Sequence, residues 1–434
     1  MNVIYDISVL GMGHIMPKSR TGVFRVIENV AEQLVLHQEC SITFCSNMSH
    51  KALEYSLSYL DSSKILSGNP ISKPPFFDVR SRALNKRNEL ITLINGGSKL
   101  SQLRKLKIKW KIRELLVIDQ MCALYNNDFI NPMDVKNAEI YHSPFLPLPE
   151  KKSSGKYKNI FLTCYDLIPI LFPQYCEQGI IDLIKNVLNS ITYETWILCI
   201  SEATRNDLLN YMGNNINPER VIVTELAASE TFYQSTNKDL NFKVRMKHDI
   251  PDKQYILSVC TLEPRKNIDQ VIRAFARLII QENIKDLNLV LVGSKGWMLQ
   301  EIFNEIENSA ILKDKVIITG YVADEDLAAL YSDALFFVYP SFYEGFGLPP
   351  LEAMKCGVPV ITSNTSSLPE VVGNAGIMVS PTDLDELCQA MLFIYKNPSL
   401  REKMVEQSLQ RAGKFSWQRC GNETVDAYKA SLKY

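Results

Sequence analysis

Short apolar runs alternate with helical patterns along this 434-residue chain, and they do so twice. In the first half the strand candidates are NVIYDIS, SITFCS, AEIYHS, KNIFLTCYD, WILCIS and RVIVTEL, separated by amphipathic stretches such as GVFRVIENVAEQLVLHQ. In the second half they are QYILSVCT, LNLVLVG, KVIITGY, LFFVYPS and VPVITSN. Continuous apolar strands alternating with helices are the mark of βαβ units, in which parallel sheets are covered by helices on both faces. The length exceeds what one hydrophobic core usually organises. The pattern therefore predicts an α/β protein of two domains with a cleft between them. The segment from Glu230 to Lys253 is polar and lacks a clear period, so the linker is placed inside it. From about Pro398 onward the chain reads as two helices broken near FSW at 415–417, and no solenoid-period repeat or low-complexity tract is visible.

Composition adds little until it is read locally. With 46% hydrophobic and 22% charged residues and a net charge of −1, the chain is of ordinary globular type, not disordered, fibrous or membrane-spanning. No apolar run approaches the roughly 20 residues of a spanning helix. The amino terminus MNVIYDISVLG has no basic region before its apolar stretch and reads as a first strand. Ten cysteines are scattered singly, without the close pairs of metal sites or disulfide frameworks. This points to a reducing compartment and a cytoplasmic location, with Cys199 and Cys260 acting as small hydrophobes. One stretch departs from neutrality: Arg80 to Arg113 holds eleven Lys or Arg against one acidic residue. Attraction to an anionic membrane surface, or to the phosphate of a lipid-linked acceptor, is one reading and suits a peripheral place at the inner face of a membrane. A solvated helix face is the other, since LSQLRKLKIKWKIRELLVI has apolar residues at roughly helical spacing.

Candidate chemistry is concentrated in the second half. The strand in QYILSVCTLEPRKN runs into a helical pattern from Asn267 to about Gln281, which sets Arg265 and Lys266 at a strand end. In a doubly wound sheet the ligand crevice lies outside the carboxyl ends of the strands. Arg grips a diphosphate in bidentate fashion and Lys supplies a compact charge. In PSFYEGFGLPPLEAMKCGVPVITS a strand ends at Ser341, a loop carries Gly345 and Gly347, and a helix opens near Pro350. Glycines admit close backbone approach and a helix amino terminus offers unpaired N–H groups, so the loop is an anion cradle. Glu344 precedes the cradle and Glu352 follows it, two carboxylates suited to accept hydrogen bonds from the hydroxyls of a sugar nucleotide.

With these residues in view, the chain resembles the retaining glycosyltransferases of family 4, whose GT-B fold has two facing Rossmann-like domains. The resemblance covers nearly the whole chain through TLEPRKN at 261–267, Glu344 to Glu352, CYDLIPILFP at 164–173, ISEATRNDL at 200–208 and SSLPEVVGNAGIMVSP at 366–381. It implies an acceptor domain of residues 1–235, to which a final helix at 417–434 crosses back, and a donor domain of residues 236–416. It also implies that Arg265 and Lys266 bind the donor diphosphate, that Glu344 contacts the donor sugar and that Glu352 holds the ribose hydroxyls. The backbone of Phe346, Gly347 and Leu348 is expected near the sugar and phosphates. Gly22, in SRTGVFRVIENV, resembles the family's glycine loop near the donor phosphates, with Arg20, Thr21 and Arg25 as candidate phosphate or acceptor contacts beside it, Arg25 reading equally as a helix-surface charge.

One departure stands out. The family commonly has His before the Asp of the CYDLIPILFP element, and this chain has Tyr165 before Asp166. The Tyr165 phenol then either takes over a hydrogen bond to the donor sugar or marks a subgroup with another sugar. Asp166 at its strand end is expected to orient or assist the acceptor hydroxyl, although an Asp capping the following turn explains it too. Ser201 and Thr204 read as a helix cap, and His142 reads as a structural histidine in preference to one lining the acceptor pocket.

The resemblance further implies retention of configuration, with the leaving diphosphate helping to deprotonate the acceptor. No Ser-His-Asp or Cys-His constellation is apparent. DEDL at 324–327 reads as a helix start and not as a metal motif, so neither metal nor cofactor is expected beyond the nucleotide-diphosphate sugar as co-substrate. The expected partners are that donor and a glycan or polyprenyl-linked glycan acceptor in surface polysaccharide synthesis, with no nucleic acid. TLEPRKN resembles bacterial enzymes that use GDP-mannose. A nucleotide-sugar epimerase of the same fold and a non-catalytic glycan-binding relative are the alternatives. A dehydrogenase is disfavoured because no G-x-G-x-x-G follows the first strand.

Overall fold

The computed structural model of the protein describes residues 1–16, 22–95, 101–125, 129–149, 157–294, 306–307 and 309–434. Two six-stranded sheets are present, each built from parallel pairs. The first comprises β1 (Asn2–Asp6), β2 (Ser41–Cys45), β3 (Ile140–Ser143), β4 (Asn159–Cys164), β5 (Trp196–Cys199) and β6 (Val221–Val223), in the order β2-β1-β3-β4-β5-β6. The second comprises β7 (Gln254–Val259), β8 (Leu287–Val292), β9 (Val316–Gly320), β10 (Phe336–Tyr339), β11 (Val360–Ser363) and β12 (Ile377–Val379), in the order β12-β11-β10-β7-β8-β9. All the expected apolar runs become strands. β12 is an addition: it is as short as β6, but its Ile-Met-Val lacks the unbroken β-branched run of Val-Ile-Val that marks β6 as a strand.

The order of the second sheet determines where a ligand can sit. The chain builds outward from β7 through β8 to β9, then returns to the other side of β7 with β10 and continues outward to β12. β7 and β10 are therefore neighbours whose connections leave in opposite directions. That is the topological switch point at which open α/β sheets bind ligands. Every residue of β8 is buried. The helix Ile268–Gln281 buries Ile268, Val271, Ile272, Phe275, Leu278 and Ile279, the spacing of one continuous apolar stripe.

The segment expected to be an aperiodic linker contains a helix, Lys238–Lys247, which corrects the reading of 230–253 as irregular. Asn237 caps it by accepting from the Leu240 N–H, and the buried face is narrow, comprising Asn241, Val244 and Arg245. Two of those three are polar: Asn241 accepts from the Ser235 hydroxyl at 2.7 Å and Arg245 pairs with Asp333 at 3.1 Å. A face buried through polar side chains leaves no hydrophobic period to read.

Close packing divides the chain into two compact units. One gathers Met1–Leu162, Glu194–Trp196 and Val425–Tyr434; the other gathers Thr163–Tyr193 and Ile197–Thr424. In the first, the carboxyl-terminal segment packs on the sheet: Tyr428, in the helix Trp417–Ser431, shares a 2.6 Å hydrogen bond with His142 Nδ1 on β3. Burial pushes the His142 pKa down to about 3. A neutral imidazole wedged among Tyr5, Phe161 and Tyr428 is a packing residue.

In the second unit Gly293 ends β8 at φ 145°, where an added Cβ would lie 1.8 Å from the Cys260 carbonyl oxygen. Gly293→Ala is therefore expected to lower unfolding stability by about 3 kcal/mol or more, read as a shifted urea midpoint. A midpoint within error of wild type would contradict this close approach.

Candidate active site

The site is assembled from the two loops that leave the switch-point strands. After β7 the chain turns through a short 3-10 segment, Pro264–Lys266, and Asn267 adopts a left-handed conformation (φ 59°) to start the next helix. Its side chain holds that strained turn by donating to the Pro340 and Pro381 carbonyls at 3.0 and 2.7 Å. The Phe342 N–H donates to the Arg265 carbonyl at 2.9 Å, so the loop after β10 is laced to the loop after β7. Arg265 and Lys266 are thereby delivered to one carboxylate.

That carboxylate is Glu344. Lys266 Nζ donates to its Oε1 at 2.6 Å, Arg265 Nη1 lies 3.0 Å from its Oε2, and the Tyr339 hydroxyl donates to Oε1 at 2.9 Å. Arg265 is held further by Glu263 at 2.7 Å and by the Tyr343 carbonyl at 2.6 Å. Burial by itself would raise the Glu344 pKa, but the charges of Arg265 and then Lys266 overcome it and hold the carboxyl down at about 2. Burial likewise opposes the Arg265 charge, and Glu344 and Glu263 reverse the balance to keep the guanidinium above its ordinary value. The Tyr339 phenol is pushed well up by burial and by the Glu344 charge, so it remains a donor.

The glycine loop follows directly. An added Cβ on Gly345 would meet the Tyr165 carbonyl oxygen at 2.6 Å and the Asp166 Cβ at 2.9 Å. The Gly345 carbonyl accepts from Ser201 Oγ at 2.7 Å and lies 3.3 Å from Thr204 Oγ1. Ser201 also caps the helix Glu202–Met212 by accepting from the Thr204 N–H, as expected. Its hydroxyl has a second duty that sequence reading missed. Gly347 has φ 123° and precedes the helix Leu348–Lys355, whose first turn contains both prolines. N–H groups of such a first turn have no intrahelical acceptor. Ser367 fastens the loop from behind, reaching the Glu344 and Phe346 carbonyls at 2.9 and 2.6 Å. The Phe346 ring packs edge-on against Phe415.

Glu352, one helical turn on, is buried and accepts from the Tyr331 hydroxyl at 3.2 Å. Asp166 makes the turn-capping bond anticipated for it, accepting from the Ile168 N–H at 3.0 Å. Its carboxyl is raised by burial against the lowering effects of that bond and of Arg265. Tyr165 is buried beside it, and burial followed by the Cys420 thiol pushes its phenol far up. Thus Arg265, Lys266 and Glu344 are in direct contact, and Tyr165 and Asp166 abut the glycine loop. Gly22 begins the helix Gly22–Leu36 of the other compact unit. Arg20 and Thr21 lie outside the described residues.

Several contributors had no sequence signal of their own. Glu370 spans the amino terminus of the helix Glu202–Met212, accepting from the Glu202 and Ala203 N–H groups at 2.7 Å each. Asp207 accepts a hydrogen bond from the Tyr343 hydroxyl. Among the described residues no group of three or more His, Cys, Asp or Glu is placed to hold a metal ion. Asp324 opens a helix, as expected for DEDL, and Asp326 pairs with Lys247 and His248.

In the second doubly wound sheet a buried lysine, a half-buried arginine and a glycine loop meet at the switch point, the place where open α/β sheets bind ligands. Comparison with known proteins specifies the class. Residues 241–411 match the model of the family described as "Glycosyl transferases group 1". Over 291 residues the chain is 35% identical to the O-antigen chain mannosyltransferase B of Escherichia coli, covering 67% of this chain and 74% of that protein. It is 29% identical over 273 residues to the serotype-specific mannosyltransferase WbdA of Escherichia coli, covering 62% of this chain and 33% of the longer relative. The crystal structure of Anabaena HepE in complex with UDP and glucose superposes with a TM-score of 0.63 at 14% identity, covering 99% of this chain and all of that one, which establishes a common GT-B fold. The chain belongs to the group 1 glycosyltransferases and is a glycosyltransferase.

The Glu344 charge sets a pH signature. A carboxyl whose pKa is lower in the folded state than its unfolded 4.5 contributes stability above that value and loses it as the pH falls toward about 2. Glu344→Gln is expected to cost on the order of 3 kcal/mol at neutral pH. The gap to wild type should narrow below pH 4.5, followed by urea unfolding across the range. A gap independent of pH would contradict the ion-pair assignment.

Proposed function

We propose that the protein is a retaining, metal-independent hexosyltransferase. It moves a hexose from a nucleotide-diphosphate sugar, with GDP-mannose the first donor to test, onto a glycan or polyprenyl-linked glycan in surface polysaccharide synthesis. The observation that carries this reading is the convergence of Arg265 and Lys266 on Glu344 beside the glycine loop at the switch point. Adjacent, fixed cations suit a departing diphosphate, because fixed charge gains most where negative charge develops. Mannose is favoured by the names of the two Escherichia coli relatives.

On this reading residues 236–416 bind the donor, and residues 1–235 with 417–434 serve the acceptor. The main chain of Phe346, Gly347 and Leu348 lies along the sugar and phosphates, with Gly22 contributing to the phosphates, and Glu352 takes the ribose hydroxyls. Glu344 meets the sugar, and Tyr165 and Asp166 stand at the acceptor side. As the bond from the anomeric carbon to the β-phosphate oxygen breaks, its electron pair leaves with the diphosphate. The acceptor oxygen bonds to that carbon from the same face, and its proton passes to the departing phosphate oxygen. The leaving charge is met by Arg265 and Lys266, so no divalent ion is needed.

Incubation with radiolabelled GDP-mannose and candidate glycan acceptors should move label onto the acceptor. Arg265→Ala and Lys266→Ala should each lower kcat/KM by roughly 10²- to 10³-fold, and EDTA should have no effect. Label recovered only in an isomerised nucleotide sugar would identify an epimerase instead, and label that never leaves intact donor would indicate a binding protein. Activity lost to EDTA and restored by a divalent ion would refute metal independence alone.

A further inference from the structure

The helix Gln102–Tyr125 carries two apolar stripes, and one of them is packed. Leu115 and Cys122 are buried and Ile108 and Ile112 half-buried on the side where Asp119 pairs with Arg80 and Arg87 of the helix Phe77–Asn95, at 2.8 and 3.5 Å. On the opposite side Leu103, Leu106, Trp110, Val117 and Met121 are between 51% and 75% exposed. At 100° per residue those positions fall within an arc of about 60°, forming a straight stripe about 27 Å long. Lys107 and Lys111 border the arc on one side and Lys109 and Arg113 on the other, all exposed. Glu114, the acidic residue nearest the arc, is neutralised by Lys111 at 2.7 Å.

Charge counting alone left a solvated helix face and a membrane contact both open. Exposure separates them, because a solvated face would carry polar residues where this helix carries leucine, tryptophan, valine and methionine. We propose that the helix Gln102–Tyr125 lies flat on an anionic lipid bilayer. The stripe enters the boundary between headgroups and acyl chains, Trp110 sits at that boundary, and the flanking basic side chains bind lipid phosphates. The contact is parallel to the surface, since no described helix is long and apolar enough to cross a membrane. A second copy of the chain fits less well, because pairing two such stripes would bring four basic borders together. This inference is independent of which sugar is moved.

The test uses the full chain sedimented with vesicles of phosphatidylcholine alone or mixed with phosphatidylglycerol. The protein should sediment with the mixed vesicles only, and release on raising salt from ~0.1 M to ~0.5 M should follow from screening. Lys107→Gln and Arg113→Gln should each weaken binding about five-fold, and Leu106→Ser with Trp110→Ser should abolish it. Circular dichroism and transfer to a water-soluble glycan should stay unchanged in these variants, so that a folding failure or a wrong assignment of activity is seen separately. Equal sedimentation with both vesicle types, or none with either, would overturn the proposal. So would stripe variants that bind vesicles like wild type, and so would variants whose only effect, by analytical ultracentrifugation, is to turn a dimer into a monomer.

Discussion

A carboxylate as buried as Glu344 keeps its charge only because two cations and a phenol face it, and much of the second sheet's loop architecture follows from that requirement. An isolated buried charge would shift its pKa and neutralise. To bring Arg265 and Lys266 within reach, the chain after β7 has to turn at once, and it does so through a 3-10 segment and a left-handed Asn267. That turn is strained, and the two carbonyls bound by the Asn267 side chain are what retain it. One of them, Pro340, belongs to the loop that also supplies Glu344, so the ion cluster and the turn that delivers it stabilise each other.

A second constraint is steric. Gly345 follows Glu344 directly, and the missing Cβ lets the main chain press against Tyr165 and Asp166. The carbonyl so placed is collected by Ser201 and Thr204, while Glu370 binds the amino terminus of the helix Glu202–Met212 and Asp207 of that helix binds the Tyr343 hydroxyl. These bonds join residues far apart in sequence, and they explain why Thr163–Tyr193 and the chain from Ile197 pack in one compact unit with β7 to β12.

The strands were legible because buried parallel strands appear as continuous apolar runs; β12 escaped because its Ile-Met-Val lacks the β-branched run that marked the equally short β6. The helix Lys238–Lys247 escaped for a different reason: Asn241 and Arg245 are buried through hydrogen bonds and an ion pair, which hydrophobic periodicity does not register. At the site, Arg265, Lys266 and Glu344 could be singled out as charges beside strand ends and glycines. Glu263, Tyr339, Ser367 and Glu370 could not, since what matters about them is a partner on another loop. Ser201 lies between these cases: its cap was readable from local sequence, whereas its bond to Gly345, 144 positions away, was not.

The charge balance of the cluster bears on how it would act. Arg265 and Lys266 face Glu263 and Glu344, two cations against two carboxylates, so the quartet is neutral before any ligand arrives. On the proposed reading a diphosphate must compete with carboxylates already holding the same donors, which tempers attraction for the intact donor. As the glycosidic bond breaks, the leaving group gains negative charge while the carboxylates gain none, and the competition tilts toward the phosphate. Interactions that strengthen in this way along the reaction lower the barrier more than they tighten ground-state binding. A neutral quartet thus suits catalysis better than a bare cationic patch, which would hold donor and departing diphosphate almost equally.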